Sequence, residues 1–218
     1  MDEITQAFKD HYTGTFQRHG ATAKGVDWND EGEVRLRYDK MLAVLDKDFA
    51  ALTASPSLLD VGCGWGGLLR HAQSLGRDLQ YSGIDIVPEM IESAGREFPK
   101  AKFMQGDVLA LAERGAYDFV VCSGILTLKL KSTIPAMERY TRAVITRMFA
   151  LCRHGIAFNM MSTRVNFMSD NLYYQNPSDL LAWMLAEISP RVLLDHGYTS
   201  LGSGKGRLYE FTAYAYKD

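Results

Sequence analysis

The sequence predicts a doubly wound α/β fold, a parallel sheet with helices on both faces. Three observations lead there. Strand-like and helix-like segments alternate from Ser57 to Met160, the strands are continuous apolar runs of the kind buried in parallel sheets, and a glycine-rich turn joins the first strand to the helix after it.

Residues 1–30 hold a short helical stretch and a glycine- and aromatic-bearing linker with His11, Tyr12, His19 and Trp28, too small to fold alone. Over residues 33–49, Val34, Tyr38, Met41, Leu42, Leu45 and Phe49 share one helical face opposite charged residues. Ser57 to Val61 then reads as a strand, Gly66 to Leu75 as a helix and Leu79 to Ile84 as a strand ending at Asp85. Pro88 suits a first helical turn, and Met90, Ile91, Ala94 and Phe98 form the stripe of the helix it opens.

A third strand runs from Ala101 to Gln105 and ends at Asp107, and Tyr117 to Cys122 is a fourth. Ile134 to Arg153 reads as a long helix and Gly155 to Met160 as a fifth strand. The segment 162–176, STRVNFMSDNLYYQN, breaks the alternation. Pro177 to Ile188 restores a helix, Arg191 to His196 makes a strand, and Tyr209 to Tyr216 makes the last one. The glycine-rich link TSLGSGKGR between them, with Lys205 and Arg207, precedes a strand and lacks the phosphate-loop spacing, so it reads as a mobile hairpin over an entrance. The expected organisation is one domain over 1–218: a helical cap over 1–52 and a core over 53–218 with a substrate insertion around 162–188.

Ligands of such sheets bind beyond the carboxyl ends of the strands. The stretch LLDVGCGWGGLLR, residues 58–70, lies at the first such end. Gly62 and Gly64 offer bare main chain to something flat or anionic. Gly62, Gly64 and Gly67 satisfy G-x-G-x-x-G, and Asp85 follows at about the 20-residue distance of a ribose-binding acid. A carboxylate accepts from both ribose hydroxyls, so Asp85 identifies a nucleoside rather than a reaction. Asp60, two residues before Gly62, puts negative charge beside the turn, which opposes a pyrophosphate and suits an ammonium or sulfonium. Asp107 is suited to an adenine amino group, with Val108 on the ring; alternatively, Asp60 and Asp85 are turn acids that cap helices and Asp107 belongs to a common G-D turn.

With these residues in view, LLDVGCGWG, YSGIDIVPEMI, FMQGDVL and YDFVVCSGIL resemble the ordered motifs of class I S-adenosylmethionine-dependent methyltransferases acting on small molecules. The resemblance implies a Rossmann-like sheet of seven strands, mostly parallel, whose last strand is antiparallel. It implies S-adenosyl-L-methionine as cofactor, S-adenosyl-L-homocysteine as product, and in-line methyl transfer to an oxygen or nitrogen. Carried over by position, Gly62, Cys63 and Gly64 contact the methionine part, Asp85 the ribose, and Ile86, Asp107 and Val108 the adenine. Ser123 and Gly124 line the methyl-donating side. The CSGIL segment stands where amino-methylating relatives carry N-P-P-Y, which disfavours methylation of nucleic-acid bases.

Trp28 and Arg37 either close over the cofactor, the arginine on its carboxylate, or plug the sheet edge and lie on a solvated face. Tyr12, Arg164, Tyr173 and Tyr174 are the expected substrate contacts, the adjacent tyrosines alternatively covering the sheet edge. His196, near a strand's carboxyl end, and His11 are the candidate bases. The alternatives are an NAD(P)-dependent oxidoreductase, which the glycine pattern permits, and a non-catalytic S-adenosylmethionine-binding protein.

The net charge of −2 gives no footprint for nucleic acid, so the expected partner is a small methyl acceptor, with the chain a monomer or homodimer. The first residues, MDEITQAFKD, lack the regions of a signal peptide, and no apolar stretch reaches the roughly 18–20 residues of a membrane span. A soluble cytoplasmic chain is therefore expected. Three cysteines without metal spacing predict no metal site and no disulfide framework.

Overall fold

A computed structural model describes residues 3–28, 30–46, 55–198 and 209–218. Phe49 and the link with Lys205 and Arg207 lie outside the described residues. Two helices come first, α1 (Glu3–His19) and α2 (Glu31–Leu42), the second capped by Asp30, whose carboxylate accepts from the amides of Gly32 and Glu33. The alternation follows as β1 (Ser57–Val61), α3 (Gly67–Ser74), β2 (Gln80–Asp85), α4 (Pro88–Glu97), β3 (Lys102–Gln105), β4 (Tyr117–Cys122) and α5 (Ile134–Leu151). Then come β5 (Cys152–Ser162), β6 (Tyr174–Gln175), α6 (Pro177–Glu187), β7 (Arg191–Asp195) and β8 (Glu210–Tyr216).

The strands form one sheet in the order β3-β2-β1-β4-β5-β8-β7. The first five are parallel, and β8 runs antiparallel to both β5 and β7. Seven strands with an antiparallel last strand are as the sequence reading expects. The two-residue β6 is additional and pairs with the far end of β5. It exists because β5 is longer than its apolar run suggests. The helix expected through Arg153 stops at Leu151, where Cys152 turns extended with ψ 154°, so His154 lies in a strand and not at a helix end.

The pleat splits the sheet residues between two cores. Val120, Cys122, Phe158, Met160 and Phe211 face α5, against Met137, Val144, Ile145 and Met148. Phe119, Val121, Ala157, Tyr214 and Tyr216 face α2 and α3, against Met41, Leu42, Leu68 and Ala72. Phe8 of α1 joins the first core, edge-on to Tyr140 at 5.9 Å. The order reverses between β1 and β4, which opens a crevice at their carboxyl ends. Among the described residues, no helix is long and apolar enough to cross a membrane and no group of side chains could hold a metal ion.

Candidate active site

The turn after β1 is built on close packing. The Gly62 amide donates to the Ile84 carbonyl at 2.8 Å, and Gly62, Gly64 and Gly66 all have positive φ, at 73°, 54° and 86°. The sequence reading leaves this main chain bare for a ligand, and the structure corrects that in part. A Cβ on Gly62 would run into Ile125 and one on Gly67 into the Tyr38 hydroxyl, while one on Gly64 would stand 3.1 Å from Val26. Cys63 packs its thiol on Gly83 of β2, where a Cβ would come within 2.6 Å of the sulfur. The glycines therefore let neighbours approach first, and what remains open beside Gly62 and Gly64 is a bordered cavity.

Three acids close three successive strands, but they are not equivalent. Asp85 is buried, and its carboxylate takes the Gly64 amide at 2.8 Å and the Val87 amide at 2.9 Å. Each oxygen keeps a second lone pair, and the residue lines the cavity. Burial outweighs those amides and raises the carboxyl above the usual range. Asp60 accepts from the Tyr81 hydroxyl at 2.6 Å, and burial pushes its carboxyl up to about 7. Asp107 departs from expectation. One of its oxygens caps its own turn at the Leu109 amide, 2.9 Å, and the other takes the Thr5 hydroxyl of α1 at 3.2 Å, so it lies off the cavity lining while Gly106 and Val108 form it.

Two chambers flank the turn and share Val26, Trp28, Gly62, Gly64 and Ser123. The first lies over β2 and β4 and brings together Tyr12, Asp85, Ile86, Val108, Ser123 and Gly124. Tyr12 lines this side together with Asp85, its hydroxyl raised by burial and by Asp27 and Asp85. The second chamber brings together Arg37, Asp60, Cys63 and Trp28. Trp28 stands between the two, its ring against Gly124, where a Cβ would meet it at 2.8 Å.

Arg37 is buried, not on a solvated face. Its guanidinium stacks on Trp28, 3.6 Å from the ring centroid, and donates from Nε to Glu210 at 2.9 Å. Asn159 donates to the same Glu210 oxygen at 3.1 Å and accepts the Gly124 amide at 2.9 Å. Sequence reasoning missed Glu210 and Asn159. The available signal was a polar or charged residue within two otherwise apolar strands, Asn159 in IAFNMM and Glu210 in YEFTAYAY. It also missed the apolar lining of Phe8, Val26, Met90, Ile125 and Tyr140, which the pattern cannot separate from core.

Besides Asp107, five expected residues lie away from these chambers. His196 is exposed at the end of β7, edge-on to Phe211 at 5.9 Å, because β7 is the outermost strand and its carboxyl end is remote from the β1–β4 crevice. Arg164 is exposed and only its amide is engaged, by Ser162. Tyr173 is core, 2% exposed, with its hydroxyl on Gln175. Tyr174 accepts from the Ser169 amide within the same segment, so the tyrosines cover the edge of β5. His11 pairs with Asp27 at 3.0 Å and touches the cavity only through Tyr12, edge-on at 5.1 Å. His196→Ala is expected to leave activity and folding stability within about 0.5 kcal/mol of the parent; a tenfold loss of turnover would return His196 to the site.

Residues 58–147 match a family model described as a methyltransferase domain. A protein of Mycobacterium tuberculosis named as a methyltransferase, Rv1506c, is 33% identical over 158 residues, covering 72% of this chain and 90% of that one. Among solved structures, the magnesium protoporphyrin IX methyltransferase (ChlM) of Synechocystis PCC 6803 with bound SAM aligns with a TM-score of 0.67 at 18% identity, over 100% of this chain and 99% of that chain. The 1,6-didemethyltoxoflavin-N1-methyltransferase of Burkholderia thailandensis aligns with a TM-score of 0.65 at 18% identity, over 100% and 91%. At these identities the structural likeness is one of fold.

Proposed function

The chain belongs to the methyltransferase family, and on that premise we propose that it moves the methyl group of S-adenosylmethionine to an oxygen or nitrogen of a small-molecule acceptor by in-line displacement. The observation that carries this reading is the pair of chambers meeting at one glycine turn, with a buried acid in each. Asp85 would hold the ribose hydroxyls, with Ile86 and Val108 against the adenine. Asp60 would face the ammonium and Arg37 the carboxylate of the amino-acid end. The donor set fits, since Arg37 Nη1 and Ser123 Oγ are buried with no hydrogen-bond partner among the described residues.

When bound, the cofactor supplies a methyl already activated on a sulfonium. What remains for the chain is to hold the acceptor about 3–3.5 Å from that carbon and to exclude water. Val26, Trp28 and Ile125 close over the turn and serve the second purpose. Among the described residues no histidine lines the chambers, so the reading suits an acceptor that arrives with a free lone pair, an unprotonated amine or an ionised oxygen.

Asp60 gives this reading a pH signature. An acid whose folded pKa is raised holds its proton more tightly when folded, so its contribution to stability is full below about pH 4 and is lost as pH rises to about 7. A cation in the chamber needs the ionised form, so S-adenosylmethionine affinity is expected to rise across pH 6–8. Asp60→Asn keeps an acceptor for Tyr81 Oη; it is expected to weaken binding roughly tenfold, flatten that pH dependence and melt no lower than the parent at pH 8. An unchanged pH profile in a binding titration contradicts the assignment. The activity is tested by incubating the protein with methyl-labelled S-adenosylmethionine and a pooled metabolite extract. Labelled small-molecule product is expected, and cofactor binding without product across broad extracts points instead to a sensor.

A further inference from the structure

More carboxyl groups stand in and behind the second chamber than a zwitterionic amino acid needs. Asp60 lines it, and directly behind Arg37 stand two further carboxylates. Glu210 is fully buried and takes Arg37 Nε at 2.9 Å. Glu33 is 7% exposed and lies 3.6 Å from Arg37 Nη1, too far for a hydrogen bond. Two carboxylates thus flank one guanidinium, and Asp60 lines the same chamber.

The cluster is unsatisfied on the side that matters. Glu33 Oε1, Glu210 Oε1, Arg37 Nη1 and Ser123 Oγ are all buried with no hydrogen-bond partner among the described residues. Buried charges keep such a state only where something else completes them. Glu210 is also tied to the methyl-donating side, through Asn159 to the Gly124 amide, by hydrogen bonds of 3.1 and 2.9 Å. Its charge lies two hydrogen bonds from the loop beside which the sulfur would sit.

We propose that Glu210, with Glu33, determines specificity for the charge on the cofactor's sulfur, so that the site holds the sulfonium donor more tightly than the neutral thioether product. The proposal rests on the methyltransferase reading above. S-adenosylmethionine and S-adenosylhomocysteine share the nucleoside, the ammonium and the carboxylate. They differ by one methyl group and one positive charge. An excess acid behind the methyl-side loop acts on the shared groups of both and separates the two only through that charge. Transfer of the methyl removes the charge, and the product then leaves a site built for its precursor.

The test is calorimetric titration of the full chain with each nucleoside, read as the ratio of the two Kd values. Glu210→Gln is expected to weaken S-adenosylmethionine by about tenfold, the effect of a unit charge within ~12 Å at an effective dielectric of ~20, and S-adenosylhomocysteine by about twofold or less. Glu210→Asp, which keeps the charge, is expected to retain the parent ratio. Glu33→Gln is expected to move the ratio in the same direction and carries the test if Glu210→Gln does not fold. A ratio unchanged in the folded glutamine variants overturns the proposal, as does equal weakening of both nucleosides, the pattern of a merely structural residue. A parent protein that binds neither nucleoside overturns the methyltransferase reading, and this proposal with it.

Discussion

Asp85→Ala is expected to lower folding stability by about 2–4 kcal/mol and, in whatever fraction remains folded, to weaken S-adenosylmethionine binding by at least tenfold. Both effects come from one carboxylate. It accepts the amides of Gly64 and Val87, and without it both donors are buried and unpaired. The Gly64 bond also fixes the turn after β1 against the end of β2, so its loss reaches the cavity wall. Asp85→Asn offers one acceptor oxygen and an amide group that cannot accept, so it is expected to fall between Ala and the parent. Chemical unfolding and titration of the folded fraction measure the two effects apart. An alanine variant as stable as the parent would mean that the turn does not depend on this carboxylate.

Gly62→Ala has a comparable cost with a different origin. The residue is held at φ 73°, which costs a side-chain-bearing residue about 1–2 kcal/mol. The new methyl would also run into Ile125, with about 1–3 kcal/mol of overpacking. A total of about 2–5 kcal/mol is expected, a fall in Tm of roughly 4–20 °C for a chain of this length. Gly76→Ala is the matched control. Its φ of 68° is similar, but nothing lies within 4 Å of the added carbon, so only the conformational cost remains. Equal melting temperatures for the two variants would show that Ile125 yields freely, and that the turn is less tightly packed than described.

Local signals carried much of the fold. β1 and β4 begin and end where expected, because strands buried on both faces read as short, mostly apolar runs even with Asp60 and Asp118 within them. Asp60 and Asp85, acids at strand ends beside glycines, do line the chambers, because both strands border the crevice. Asp107 has the same local appearance, yet Thr5, 102 residues away, decides where its carboxylate points. Glu210 and Asn159 show the same limit. Their partners, Arg37 and Gly124, come from distant segments, and a polar residue in an apolar strand does not say what it will meet. His196 was misjudged by topology, since the end of a strand counts toward the site only when the strand borders the crevice. Tyr173 was misjudged by burial, its segment folding back on β5 as core.

Isothermal titration of the purified chain with S-adenosylmethionine, S-adenosylhomocysteine and NAD tests the central claim most directly. The account predicts saturable one-to-one binding of both sulfur nucleosides and none of NAD, with Asp85→Ala and Asp60→Asn each weakening the sulfur nucleosides. Binding of NAD alone, or sulfur-nucleoside binding that neither substitution changes, would contradict it.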